Sequence, residues 1–312
     1  MANAIDPIHP DHKQNDWHYT PDGTERGYIQ PETIRELWFH TGTACNLACP
    51  FCLEGSAPGV HRLEQVTLAD VRPFIEESLA FGVEQFSFTG GEPFINKDIF
   101  EILQLSLAQR PCMVLTNGTK PVEKRWDRVL ALRDAPNPVR FRISLDSPHA
   151  AEHDAGRGAG NFALALNTMA RLHEAGFSVS VARHMKKEED SESITEAFQQ
   201  HFKSVGLPED LNMVAFPDFY GPSSHPAGVP HITRNCMTQY QTEPSRAAFM
   251  CNFSKMIVKL GGRMRVYACT LVDDDPDYDL GGSLTEAMAI RVMLRHHRCF
   301  SCFQYGASCS EV

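Results

Sequence analysis

Cys45, Cys49 and Cys52 stand in the run Cys-Asn-Leu-Ala-Cys-Pro-Phe-Cys, a C-x3-C-x2-C spacing with Phe51 just before the third thiol. Three thiolates on one short loop can ligate three irons of a cubic 4Fe–4S cluster and leave the fourth iron without a protein ligand. An open coordination position is what catalytic metal centres keep and structural ones close. A structural zinc site would want a fourth ligand, and no cysteine or histidine follows at the usual spacing.

Further along, Gly90-Gly91-Glu92-Pro93 places two glycines side by side. They let a backbone come close to a ligand and offer it amide and carbonyl groups. A second set of thiols, Cys251, Cys269, Cys299 and Cys302, is spaced C-x17-C, a gap, then C-x2-C. Four thiolates suit zinc or an iron–sulfur cluster. Cys309 extends the ending to C-x2-C-x6-C and Cys236 precedes the set, neither with a clear partner. Cys112 reads as a small buried apolar residue. The run Asp273-Asp274-Asp275-Pro276-Asp277 reads as a solvated loop without calcium-loop spacing, and His296-His297 as a helix end at the surface.

These groups need elements to hold them. Residues 1–34 are polar, rich in His, Pro and Asp, and read as an irregular extension. From residue 35 strands and helices alternate. Strands are expected at 36–40, 85–89, 113–116, 140–145, 179–182 and 212–215. Helices are expected from the Thr67 cap to Gly82, then at 99–107, 122–134, 161–175 and 191–204. Strands alternating with helices imply parallel βα units. An eight-fold barrel takes about 250 residues, so 35–216 suits a six-fold partial barrel. Residues 217–248 bridge to a cysteine-rich region at 249–312. That region opens with a hairpin, Met256 to Leu260 and Arg263 to Tyr267, turned by Gly261-Gly262. The cysteine loop and the Gly-Gly-Glu-Pro turn follow the first two strands, at the end where barrel enzymes keep their chemistry.

The chain has 312 residues, 42% hydrophobic and 22% charged, with a formal net charge of −10. The acidic balance argues against a nucleic-acid surface. No apolar run approaches the length of about 18 residues that reads as a membrane span, and the N-terminus lacks the pattern of an export signal. Ten cysteines in that setting point to a reducing cytoplasm and to metal ligation.

The Cys45, Cys49, Cys52 loop with Phe51, followed by Gly90-Gly91-Glu92-Pro93, resembles the signature of the radical S-adenosylmethionine (SAM) superfamily. The resemblance implies an α/β partial (β/α)6 barrel in which SAM chelates the open iron. An electron from the cluster would then cleave SAM to methionine and a 5′-deoxyadenosyl radical. By the same resemblance, Phe51, Gly90, Gly91, Glu92, Asn117, Ser144, Asp146 and Arg183 are the candidate SAM-binding residues. His184 could face the substrate, and Arg157 belongs to a loop common in relatives. Tyr220, His225, His231 and Arg234 are looser substrate-contact candidates near the barrel mouth. The hairpin flanked by cysteines and closed by C-x2-C resembles the twitch domain, the shortened form of the SPASM extension. This implies one auxiliary 4Fe–4S cluster on Cys251, Cys269, Cys299 and Cys302, with Cys309 an uncertain further ligand. The full two-cluster form needs more cysteines than the chain has left.

The implied reaction is hydrogen-atom abstraction, with the auxiliary cluster accepting an electron, so that a small molecule is oxidised. A reductant such as flavodoxin or ferredoxin would feed it. Two alternatives stand beside it. One is a maturase that forms a thioether or carbon–carbon crosslink in a ribosomal precursor peptide, against which the short stretch before the barrel weighs. The other is a non-catalytic iron–sulfur protein, against which the intact motifs weigh. No residue is an evident general base, and the substrate is not readable.

Overall fold

The computed structural model describes residues 16–185, 189–216, 220–306 and 310. Cys309 lies outside the described residues. Ten strands are present among them: β1 (Tyr28–Ile29), β2 (Glu36–His40), β3 (Gln85–Thr89), β4 (Cys112–Thr116), β5 (Val139–Ser144), β6 (Ser178–His184), β7 (Met213–Phe216), β8 (Ser254–Leu260), β9 (Arg263–Tyr267) and β10 (Val292–Met293). The helices are α1 (Leu68–Ala80), α2 (Ile99–Leu107), α3 (Lys120–Glu123), α4 (Trp126–Ala131), α5 (Ala150–Arg157), α6 (Asn161–Glu174) and α7 (Ser191–Ser204). They continue with α8 (Arg234–Gln239), α9 (Glu243–Ala247), α10 (Met250–Phe253), α11 (Leu284–Met288) and α12 (His297–Tyr305).

One sheet dominates, in the order β7-β6-β5-β4-β3-β2-β8-β9. Every neighbouring pair from β7 to β8 is parallel, and β9 closes the row antiparallel to β8. The six strands β2 to β7 form the expected partial barrel. The hairpin does not form a sheet of its own. β8 anneals to the free edge of β2, Glu36 opposite Ser254 and Phe39 opposite Ile257. Parallel strands are covered on their faces by crossover helices and read as apolar runs. Accordingly Leu37, Phe39, Phe86, Phe88, Phe141 and Val181 are fully buried. Phe39 stacks on Phe88 at 5.5 Å, and Phe141 meets Phe177 edge-on at 5.2 Å. Residues of the other parity, among them Trp38, Thr89, Leu115, Ser144, Ala182 and Phe216, face a cavity at the barrel mouth.

The interior at the opposite end is polar. The buried Glu36 carboxylate accepts from Gln85 Nε2 at 2.9 Å and Ser87 Oγ at 2.5 Å, and Ser310 also bonds to it. Burial raises its pKa above the ordinary range. Residues 16–35 form no long element; β1 pairs antiparallel with β10 and so ties this stretch to the cysteine-rich region. No described helix is long and apolar enough to cross a membrane.

Two local expectations change. The helix expected at 122–134 is two pieces and a 3-10 turn, interrupted at Arg125, whose φ of −119° leaves the helical region while its side chain donates to Asn96 O at 2.7 Å. The acidic run is not a solvated loop. Asp273 pairs with Arg62, Asp274 with Arg298 and His296, and Asp275 with Arg295. His296 is buried with them rather than at the surface.

α1 begins as its sequence dictates. Thr67 accepts from the Asp70 amide, and the Asp70 carboxylate returns the bond to Thr67 N at 2.8 Å. The same carboxylate reaches Lys259 Nζ on β8 at 2.7 Å, so one side chain caps a barrel helix and fastens the hairpin. Burial opposes its ionisation, but Lys259 and Thr67 outweigh that and hold its pKa below the ordinary value. Asp70→Ala is expected to cost about 1–2 kcal/mol, read as a lower urea midpoint at unchanged slope. The stabilisation is complete above the unfolded aspartate pKa of about 4. It fades as pH falls through the lower folded value. Wild type and variant should therefore converge in acid, and a gap that persists there would refute the assignment.

Candidate active site

The loop after β2 carries Cys45, Cys49 and Cys52, and the turn after β3 carries Gly90 and Gly91. The two segments touch backbone to backbone: Gly91 N donates to Gly42 O at 2.8 Å and Glu92 N to Ala44 O at 3.1 Å. A Cβ on Gly91 would stand 2.3 Å from Ala44 O, and Gly90 holds φ +137° against Gly42 O. No side chain fits at Gly91, which is the local reason for glycine there. Glu92 turns away from the cavity. Its buried carboxylate accepts from Thr116 Oγ1, Asn117 N and Phe94 N at 2.9–3.0 Å, locking the turn to the end of β4. Burial pushes its pKa up to about 7.

Two of the three sulfurs accept backbone amides. Leu47 N donates to Cys45 Sγ and Ser56 N to Cys52 Sγ, both at 3.4 Å. Asn117 Nδ2 approaches Cys45 Sγ at 3.8 Å and bonds Asn46. Asn117 thus braces the loop and does not line the cavity. Amide donors on sulfur are a known lever on iron–sulfur clusters. Burial pushes the Cys45 thiol up to about 12, so a bound cation must draw off its proton.

The cavity facing this loop measures about 200 Å³. Its lining includes Phe51, Gly90, Gly91, Ser144, Asp146 and Arg157. Arg157 reaches Asp146 with two bonds, at 2.5 and 3.2 Å, and lies 5.7 Å from the centre of the Phe51 ring. Phe51 stacks on His184 at 5.5 Å. It also packs so closely on α5 that a Cβ on Gly156 would meet its ring at 2.3 Å. Arg183 lines the cavity but is paired with Glu189 at 2.5 Å. Trp38, Leu53, Phe216, Thr270 and Leu271 also line it.

The looser candidates fall elsewhere. His225 and His231 line a separate cleft with Asp275 and Arg295, Tyr220 is exposed, and Arg234 pairs with Glu25. The segment bearing them packs on the N-terminal stretch and α12, and at Pro222 it meets Gly55 of the cysteine loop, where a Cβ would stand 3.2 Å from the proline ring.

Cys251, Cys269, Cys299 and Cys302 line one apolar void. Cys299 and Cys302 sit one turn apart on α12, and the buried Tyr278 hydroxyl fixes how that helix begins. It donates to Met293 O and accepts from the amides of Arg295 and His296 at 2.8–3.0 Å. Burial pushes all four thiols up, Cys299 to about 12 and Cys302 to about 11. Leu271 lines both this void and the barrel cavity, and Thr270, next to Cys269, faces the cavity. The wall between the two thiol sets is that short stretch of chain.

Four sulfurs on one zinc ion would lie about 3.8 Å apart at bonds of about 2.3 Å. Among the described residues neither set brings three sulfurs within 4.8 Å of one another. His40, Glu54 and Asp273 do converge that closely, but the space between them is already served. Gly42 N donates to His40 Nδ1, leaving Nε2 to donate to Glu54 at 3.1 Å, and Arg62 bridges Glu54 and Asp273 at 3.0 Å each. Asp273 is raised by burial and by Glu54, while His40 and Arg62 keep Glu54 ionised against its own burial.

The family model described as the Radical SAM superfamily matches residues 39–200, more than half of the chain. Mycofactocin maturase MftC of Mycobacterium ulcerans is 34% identical over 147 residues, 45% of this chain and 38% of that protein. An AdoMet-dependent heme synthase of Methanosarcina barkeri is 29% identical over 178 residues, 56% of this chain and 47% of that protein. The chain thus spans less than half the length of these relatives. In fold it is similar to Streptococcus suis SuiB bound to S-adenosylmethionine, with a TM-score of 0.57, 13% identity, and coverage of 79% of this chain and 63% of that one. It is equally similar to anSMEcpe with bound AdoMet, with a TM-score of 0.57, 14% identity, and coverage of 81% and 79%.

Gly91→Ala tests the backbone contact. The added Cβ must displace the cysteine loop, and a misplacement of about 1 Å costs on the order of 100-fold in rate. Formation of 5′-deoxyadenosine with dithionite and SAM should fall by that factor while the fold persists by circular dichroism. Undiminished cleavage would mean that the contact does not set the geometry.

Proposed function

The chain belongs to the radical SAM superfamily, and from that premise we propose that it is an oxidising enzyme whose substrate sits between the Cys45–Cys52 loop and a second, four-cysteine cluster site. It is a radical SAM enzyme, and the family uses a 4Fe–4S cluster with SAM. When bound, that cluster supplies the electron that cleaves SAM to methionine and the 5′-deoxyadenosyl radical. In this chain Cys45, Cys49 and Cys52 would hold it. Gly90 and Gly91 would offer backbone to the methionine end of SAM. Ser144 would donate to a ribose or carboxylate oxygen and Asp146 would accept from a ribose hydroxyl, with Arg157 as the cation beside them.

The observation that carries the oxidising reading is the shared wall. Thr270 and Leu271 separate the cavity from the void lined by Cys251, Cys269, Cys299 and Cys302. A substrate against that wall has an electron acceptor behind it. The balance is complete: SAM, one electron and a substrate C–H bond give methionine, 5′-deoxyadenosine and a substrate radical. Loss of a second electron and a proton from that radical gives the oxidised product. The first electron would come from a reductant of the flavodoxin or ferredoxin class, and a cluster held by Cys251, Cys269, Cys299 and Cys302 would supply the acceptor for the second. Among the described residues His184 is the imidazole on the cavity wall, and it would take the proton. Trp38, Leu53 and Phe216 would exclude water from the radical.

A second reading keeps this chemistry and changes the substrate to a side chain of a precursor peptide. Similarity to the mycofactocin maturases favours it, and SuiB, which shares the fold, has been solved with precursor peptide SuiA.

Anaerobically purified protein should carry about eight irons, and either Cys45→Ala/Cys49→Ala/Cys52→Ala or Cys299→Ala/Cys302→Ala about four. SAM cleavage should survive in the second variant and vanish in the first. Zinc in the C-terminal site would sink the oxidising reading. Stimulation of 5′-deoxyadenosine formation by peptides but not by small polyols would select the second substrate class.

A further inference from the structure

Lys255 lies on β8 opposite Leu37, and none of its side chain reaches solvent. Its ammonium donates to two neutral acceptors, Cys251 O at 2.7 Å and Ser254 O at 2.8 Å. No carboxylate of the described residues pairs with it. The partly or fully buried arginines of the same region are served differently: Arg62, Arg265, Arg295 and Arg298 each have an aspartate. A buried ammonium without a counter-charge is strongly disfavoured.

Cys251, whose carbonyl takes the ammonium, lines the apolar void with Cys269, Cys299 and Cys302. Bound as thiolates to a 4Fe–4S cluster, these four would form a unit with net negative charge, and reduction would add one more electron to it. A fixed cation beside such a unit stabilises its reduced form more than its oxidised form. The two carbonyl bonds alone would make Lys255 a cap on α10, a four-residue helix. A cap of that kind needs no burial of the charge.

We propose that Lys255 is the built-in counter-charge of the four-cysteine site and raises the reduction potential of the cluster held there, fitting it to accept the substrate's electron. The inference rests on reading Cys251, Cys269, Cys299 and Cys302 as an iron–sulfur site. Lys255 touches neither substrate nor SAM and acts as a positioning residue, through the cluster.

The test uses the full chain, purified anaerobically, as wild type, Lys255→Gln and Lys255→Arg. Iron and sulfide are counted, and both clusters are titrated with an EPR readout. Lys255→Gln keeps a hydrogen-bond donor and removes the charge. It should retain the wild-type iron content, with the C-terminal cluster shifted to a more negative potential and the SAM-binding cluster unmoved. Lys255→Arg should return the shifted potential toward wild type. A Lys255→Gln titration superimposed on wild type overturns the proposal. If Lys255→Gln is short of iron, full loading and a wild-type potential in Lys255→Arg support the need for charge. Equal iron loss in both variants assigns a packing role alone and overturns it. Wild-type protein with about four irons removes the four-cysteine reading itself, a result distinct from any failure of Lys255.

Discussion

Two backbone hydrogen bonds, Gly91 to Gly42 and Glu92 to Ala44, weld the turn after β3 to the cysteine loop after β2. Around that weld the barrel mouth is arranged. The loop cannot shift without pushing the turn, and the turn is held from below by the Glu92 carboxylate on Thr116 and Asn117. Asn117 in turn touches Asn46 and the Cys45 sulfur. Ends of three consecutive strands are thereby fixed to one another by short polar links. Phe51 wedged on Gly156 adds a fourth contact from α5. A site that handles a radical needs such rigidity, because the reacting carbon must be nearer to its target than any other hydrogen donor.

The parts of this arrangement that are local in the chain were readable from it. Cysteine spacing, the paired glycines and the Thr67–Asp70 cap each act over a few residues, and helices such as 99–107 and 191–204 follow from periodicity. What was not readable depends on partners far away. The acidic run from Asp273 looks solvated until Arg62, Arg295 and Arg298 arrive from elsewhere. α5 carries Gly156, a poor helix residue, and reads as loop; only the Phe51 ring explains the glycine. Glu92 and Asn117 sit in the right motifs, yet their side chains brace the loop rather than face the cavity, a distinction of direction that spacing cannot encode. Nothing in the run 254–260 announces that its partner is β2, because strand pairing is chosen by packing across the sheet.

Among the links that join the cysteine-rich region to the barrel, three bear on the site. β8 shares its hydrogen bonds with β2, Asp70 clasps Lys259, and Arg62 holds Glu54 of the cysteine loop to Asp273. Glu54 stands two residues after Cys52, and Asp273 four after Cys269. This ion-paired clasp stands at the wall of the barrel cavity, which Glu54 lines, and connects the backbones that carry the two thiol sets. Their separation is set by side chains and sheet spacing, not by a linker, and variation in substrate has the loops at the mouth in which to act.

The pairing of β2 with β8 also dictates an order of events during synthesis. Glu36 meets Ser254, more than two hundred residues later in the chain. Until β8 has been made, one edge of the first barrel strand is bare, with unpaired amides and carbonyls and Leu37 and Phe39 beside them. Contacts of such span form slowly. The nascent barrel thus carries an open seam next to the cysteine loop through most of translation. The cysteine loop made at that stage still lacks the hairpin and the Asp273 clasp, which reach it only after β8 has been made.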